Sequence, residues 1–392
     1  MGLHHLAFAT VFLLYGIWGT PTPDTIGWLE IAIGALLIFL CLPKLQDLKS
    51  TEHIKSDTGF WLVVAGLLSG LIMAGVAGNA PNAVTRDLLA FMFLLLPFWL
   101  SPYKEDPIMR KLLINGSVFV GISFSLRFLA SIDPLALANG TAFSDPHYSY
   151  LANSPLVLFT ALFMLYKVFE MLHHNAINIV RIAIYALAMA IPLIAMGVMQ
   201  QRATLFCIAV YASILCLWTI LTKPAKGIFI LAIGTALSFY MWDNLHELLI
   251  VLWEKTRLSG ANMRFMEWQA VLSQIDGNML TALFGKGWGS AFFSPAVGNV
   301  PVTFTHSLLS MYLLKIGMCG TALLCAYFTS LVYRAKIDIA KSPFLSLSLL
   351  FPFLIGIFLY ANFKSLGFGI ILLMLCYGIN KGSEKEQLYP VH

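Results

Sequence analysis

Charge is what this chain has least of. Only 11% of its 392 residues are Asp, Glu, Lys or Arg, against about 25% in a soluble globular domain. That scarcity, with 59% hydrophobic residues and a mean hydropathy of +0.81, excludes an ordinary soluble fold and leaves no room for a separate soluble domain. Cysteine is sparse as well. The six (Cys41, Cys207, Cys216, Cys319, Cys325, Cys376) all lie inside apolar runs, without disulfide or zinc spacing, and are expected as buried thiols. There is no Walker loop, no GxGxxG after a strand and no HExxH, which removes nucleotide-dependent and zinc-protease chemistry. No His and carboxylate cluster has metal spacing and no DxD pair lies on an outer loop. No metal and no cofactor are therefore expected. The net charge of +5 is spread over loops, where it reports topology rather than nucleic-acid binding. The first residues, MGLHHLAFATVFLLYGIWG, lack a cationic leader and an A-x-A site, and are expected as a first span rather than a cleaved signal.

What is present is a succession of apolar runs. Twelve are expected to form helices able to cross a hydrocarbon core of about 30 Å: 4–19, 27–43, 59–78, 87–101, 112–131, 153–172, 179–199, 203–222, 227–249, 306–333, 344–361 and 365–380. The expected fold is an all-α integral membrane protein, one polytopic domain over 1–392. Two connections are long, 132–152 and 250–305. Both follow odd-numbered spans, so both face the same side. No internal repeat and no low-complexity stretch is visible.

Basic residues orient the bundle. With the N-terminus in the cytoplasm, fifteen Lys and Arg fall on inner segments and seven on outer ones (Arg86, Arg202, Lys255, Arg257, Arg264, Lys286, Lys364), with Arg127 and Lys315 inside spans. An inward excess of cations is the rule for membrane proteins. Both termini are thus expected in the cytoplasm and both long loops outside. In the second loop, ANMRFMEWQAVLSQI repeats near a helical period (Met263, Met266, Ala270; Phe265, Trp268, Leu272), which predicts one or two interfacial helices broken by GKGWGS at 285–290.

The outer cations carry the functional reading. Arg202, in MQQRATLF, must lie near the membrane boundary. An arginine there can simply snorkel, but its fork also grips two phosphate oxygens and keeps its proton. Arg264 has Glu267 three residues on, the spacing of a surface ion pair, and Trp268 and Phe265 beside it. Arg257 and Arg86 are further candidates for an anion site. His306, in TFTHSLLSMYLLKIG, leads into the tenth span, where it is placed either as a helix-end residue or as a general base for a sugar hydroxyl. Lys315 and Arg127 are intramembrane charges close enough to span ends to snorkel. His4, His5, His147, His173, His174 and His246 receive no role.

Four segments in order resemble the O-antigen ligase / O-antigen polymerase superfamily of bacterial inner-membrane enzymes. MQQRATLF resembles the family's S/T-R-A-x-L segment from Arg202 onward. ANMRFMEWQAVL resembles its R-x-x-x-W helix, with Arg264 as the arginine. GKGWGS matches a G-x-G-W-G turn, and His306 and Gly317 keep the family's histidine-to-glycine separation. Gln201, Ser310 and above all Ser307, where asparagine is usual, depart from the pattern. The resemblance implies a GT-C-like bundle with a helical periplasmic loop. It implies an undecaprenyl-pyrophosphate-linked glycan donor and a lipid A–core or lipid-linked glycan acceptor. It makes His306, Arg202 and Arg264 catalytic; Arg86, Arg257, Trp268 and Trp288 are expected to bind substrate. A ligase is the first expectation, a polymerase the second. A protein-glycosylating relative, which often carries a soluble C-terminal part, comes last. A flippase or exporter is the reading from another class. Against it stand outer cations gathered on one face and the lack of an inverted repeat.

Overall fold

The computed structural model describes residues 2–21, 27–47, 57–132, 146–173, 178–240 and 262–378, with single positions 242, 246, 249, 250, 253, 254 and 257. Helices cover the greater part of each of the twelve expected runs: α1 (Leu3–Ile17), α2 (Trp28–Asp47), α3 (Thr58–Ala77), α4 (Pro81–Leu94) continued by the single turn α5 (Leu96–Trp99), α6 (Pro107–Ala130), then α7 (Pro146–Ala152) in the first long connection, α8 (Pro155–His173), α9 (Ile179–Val198), α10 (Arg202–Thr222) and α11 (Pro224–Tyr240). After them come α12 (Asn262–Ile275), α13 (Met279–Phe284), α14 (Leu308–Lys341), α15 (Pro343–Phe358) and α16 (Leu366–Tyr377). Among the described residues, seven helices are long and apolar enough to cross a membrane: α2, α3, α6, α8, α9, α10 and α14; α1, α11, α15 and α16 are shorter apolar helices. The chain is thus an all-α protein of membrane character. Its one exception among the described residues is an antiparallel hairpin, β1 (Phe292–Ser294) with β2 (Val300–Val302), in the register Phe292 to Val302 and Ser294 to Val300. Residues 133–145 of the first long connection lie outside the described residues.

By packing, the chain forms two compact units. One comprises Met1–Ser117, Ala261–Ser342 and Phe353–His392; the other comprises Val118–Gly260 and Pro343–Pro352. The first is built around α16, whose twelve residues are all buried. A helix apolar on every side belongs in an interior, and α4, α5 and α14 pack on it. In the second unit α8 is the most enclosed helix, flanked by α9 and α10.

A glycine turn locks α3 to α14 in the first unit. Gly285, Gly287 and Gly289 all have positive φ, at 78°, 81° and 78°. The helix α14 is itself interrupted at Gly317, where φ is 67° and ψ is −168°. A helix that stops leaves its last carbonyls without amide partners. The turn supplies two: Lys286 N–H donates to the Leu314 carbonyl at 2.8 Å and Gly287 N–H to the Lys315 carbonyl at 3.0 Å. On its other side the turn sits on α3. Trp288 donates its amide to the Gly70 carbonyl at 3.1 Å and its indole N–H to the Gly66 carbonyl at 2.7 Å. Asn79 then donates to the carbonyls of Lys286 and Trp288 at 3.0 and 2.8 Å.

Close approach makes glycine obligatory at Gly287: a methyl group there would lie 2.1 Å from the Ala74 amide nitrogen. At Gly298, with φ of 76°, a methyl group meets nothing within 4 Å. Gly298→Ala should therefore cost only the left-handed penalty, about 1–2 kcal/mol. Gly287→Ala adds overpacking of about 1–3 kcal/mol to that. Thermal unfolding in detergent, followed by tryptophan fluorescence, should give Gly287→Ala the larger loss; equal losses would refute the interlock.

Candidate functional site

Beneath the glycine turn lies an ion pair. Lys315 Nζ is 2.7 Å from Asp87 Oδ2, and both side chains are almost wholly buried. The same ammonium donates to the Ser290 carbonyl at 2.5 Å, and the Asp87 carboxylate accepts the Gly289 N–H at 2.7 Å. Lys315 therefore does not snorkel. It is neutralised in place, joining α14 to α4 and to the turn.

Above the turn stands α12. Phe265 and Met266, part of the apolar periodicity of this segment, are 64% and 48% exposed on the protein surface. The buried stripe is Glu267, Val271 and Ile275, spaced one helical turn apart. Val271 and Ile275 form a cluster with Phe292, Leu313 and Leu314, and Trp268 packs against it. Lys286 Nζ bonds the Gln274 side-chain oxygen, which ties α12 back to the turn.

Glu267 is the charged member of that stripe, and it faces His306. The carboxylate accepts from His306 Nδ1, with Oε2 at 3.0 Å and Oε1 at 3.1 Å. It also accepts from the His306 backbone amide at 3.1 Å and from the Ser294 hydroxyl at 2.7 Å. Burial works to raise this carboxyl's pKa; the bonds from His306 and Ser294 outweigh it and hold the value below the ordinary glutamate range. The bonded carboxylate thus contributes stability in full above the ordinary glutamate pKa, and loses it as pH falls through the lowered folded value. An ionised carboxylate only accepts, so in neutral His306 the proton sits on Nδ1 and Nε2 carries the lone pair. The ring is one-third exposed.

Cations border the same segment. Arg86 Nη2 donates to Thr303 Oγ1 at 2.5 Å. Lys364 Nζ lies 3.7 Å from the centre of the Phe304 ring, and that ring stands 6.5 Å from His306 in a T-shaped arrangement. Arg264, half-buried, is one turn before Glu267 on α12. Ser307 begins α14 as its N-cap without a side-chain cap bond, and its hydroxyl donates to the Ile357 carbonyl at 3.4 Å.

Of the residues singled out in sequence, Arg86, Arg264, Trp268 and His306 belong to the first unit, around this segment. Trp288 has no exposed surface; it packs the turn against α3 rather than presenting a face to substrate. Arg202 belongs to the second unit, as the first residue of α10, with Gln201 at the N-cap position but making no side-chain cap bond. Gln200 turns the chain there with a left-handed φ of 52°, uncommon outside glycine. Thr204 Oγ1 donates to the Gln201 side chain at 3.0 Å, and Gln201 is 4% exposed. Arg257 is also in the second unit and is exposed. Glu267, Asp87, Thr303 and Lys364 were not singled out. A carboxylate in the stripe shared with Val271 and Ile275 was the available signal for Glu267. Comparison with protein-family models, with curated proteins and with solved structures finds no match to this chain.

Removing one member of a buried pair strands the other, at about 3–5 kcal/mol. Lys315→Met should therefore destabilise the protein by that order in detergent unfolding. The double variant Asp87→Leu/Lys315→Met should lose less than the sum of the single losses; simple additivity would mean that the pair is not coupled.

Proposed function

We propose that this chain is a glycosyltransferase acting on lipid-linked glycans at the outer face of a bacterial inner membrane. Its donor is a glycan on undecaprenyl pyrophosphate, and its acceptor is lipid A–core, the reaction of an O-antigen ligase. The single observation that carries the reading is the Glu267–His306 pairing. A buried carboxylate holds an imidazole by Nδ1 and leaves Nε2 to take a proton, with Arg264 one turn away on the same helix. In this reading the pair supplies the base, and Arg264, on the helix that carries Glu267, supplies a cation for the pyrophosphate. The four resembling segments support the same reading. A GT-C-like arrangement of twelve spans with both termini in the cytoplasm belongs to the proposal, resting on the cation count.

The chemistry balances without a metal. His306 Nε2 accepts the proton of the acceptor hydroxyl. The oxygen attacks the anomeric carbon as its bond to the pyrophosphate oxygen breaks, and undecaprenyl pyrophosphate leaves with the electron pair. Arg264, with Arg86 on the neighbouring segment, stabilises the departing charge. Glu267 stabilises the imidazolium that forms. Attack opposite the leaving group inverts the anomeric centre. Arg202 takes a leaving-group role on the resemblance alone.

The test is transfer by purified protein in detergent, from lipid-linked donor to core acceptor. His306→Ala should lower turnover by about 10²–10⁴-fold and Arg264→Ala by about 10²–10³-fold, with expression unchanged. Glu267→Gln should reduce turnover less than His306→Ala and alter its pH profile. Undiminished transfer by His306→Ala would remove the base from the mechanism. In a deletion strain the ligase reading predicts polymer held on its lipid carrier with bare core; core bearing a single repeat would mean polymerase instead.

A further inference from the structure

We propose that His4, His5 and Asp106 form a binding site for a divalent transition metal of the zinc class, separate from the Glu267–His306 site. Asp106 lies 101 residues beyond His5 in the chain, and the fold brings them together in the first unit. Asp106 Oδ2 is 2.7 Å from His5 Nε2 and 3.5 Å from His4 Nε2. The three donor atoms all lie within 4.8 Å of one another.

The carboxylate divides its work. Oδ1 caps α6, accepting the Ile108 amide at 2.9 Å and the Met109 amide at 3.2 Å. Oδ2 is left to the two imidazoles. Tyr103 stacks on the His4 ring at 5.3 Å and an interplanar angle of 19°, which holds that ring in place. The His5 side chain is 8% exposed and those of His4 and Asp106 are 35% and 24% exposed, so the cluster is partly shielded yet open to an entering ion.

Ligand distances of about 2.0–2.2 Å around a tetrahedral zinc separate the donor atoms by roughly 3.4 Å. The His4–Asp106 separation already meets this, and His5 and Asp106 need to part by less than about 1 Å. The hydrogen shared between His5 Nε2 and Asp106 is displaced as the metal enters. His5 then carries its proton on Nδ1, which now accepts the Gly2 amide at 2.9 Å; Gly2 lies ahead of α1 and can swing away. Two imidazoles and one carboxylate suit zinc, nickel, cobalt or copper. Calcium and magnesium prefer sites built from oxygen alone. Three protein ligands leave a fourth position for water. The bound ion clamps the first turn of α1 to the start of α6.

The experiment is zinc titration of purified protein carrying no histidine tag, with bound metal read by mass spectrometry and stability by thermal unfolding. Wild type should hold one equivalent, and its melting temperature should rise with zinc and not with magnesium. His4→Ala/His5→Ala should hold none and show no rise. Asp106→Asn keeps the helix cap, because asparagine also caps, and should bind at least 10-fold more weakly. Wild-type protein without stoichiometric zinc, or variants that bind as wild type does, would overturn the site. Glycan transfer is not the readout, so the result stands apart from the proposed function.

Discussion

A lysine ammonium with no water around it needs an anion within reach, and the packing of α3, α4 and α14 around the glycine turn is organised around that requirement. Lys315 finds Asp87 at 2.7 Å, and together they fix the backbone of the glycine turn through Gly289 and Ser290. The turn in turn takes up the carbonyls that α14 frees where it breaks at Gly317. A polar pair, a helix break and a left-handed turn satisfy one another. Any one alone would leave buried groups unpaired, at a cost of about 1–3 kcal/mol each.

The Glu267–His306 pair rests on this base. Val271 and Ile275 pack α12 onto Leu313 and Leu314, the residues just before the break, and Ser294 reaches Glu267 from the hairpin. The carboxylate is therefore held from three sides, and its bond decides which nitrogen of the imidazole faces outward. A histidine free to rotate would present either nitrogen. One held by Nδ1 presents a single lone pair in a set direction, which is what proton removal from a bound hydroxyl needs.

Helices were legible in the sequence because apolar runs of this length have few other solutions in a membrane. The end of α5 and the hairpin at 292–302 were not, because three-residue strands leave almost no periodic trace. Arg264 and His306 stood out by residue type and position. Glu267 did not, because its spacing from Arg264 matched a surface ion pair. Trp288 looked like a substrate platform, whereas Gly66 and Gly70 show it as a wedge between turn and helix. Lys315 looked free to reach the surface until Asp87, far away in the chain, was placed beside it. The His4, His5 and Asp106 cluster was hidden by the same long-range closure.

The most direct measurement is nitrogen NMR of the His306 ring in protein labelled at histidine, with His306→Gln used to assign its signals. The neutral ring should carry its proton on Nδ1, and Glu267→Gln should redistribute it toward Nε2. A neutral ring protonated on Nε2 in the wild-type protein would leave no lone pair facing outward and would contradict the account.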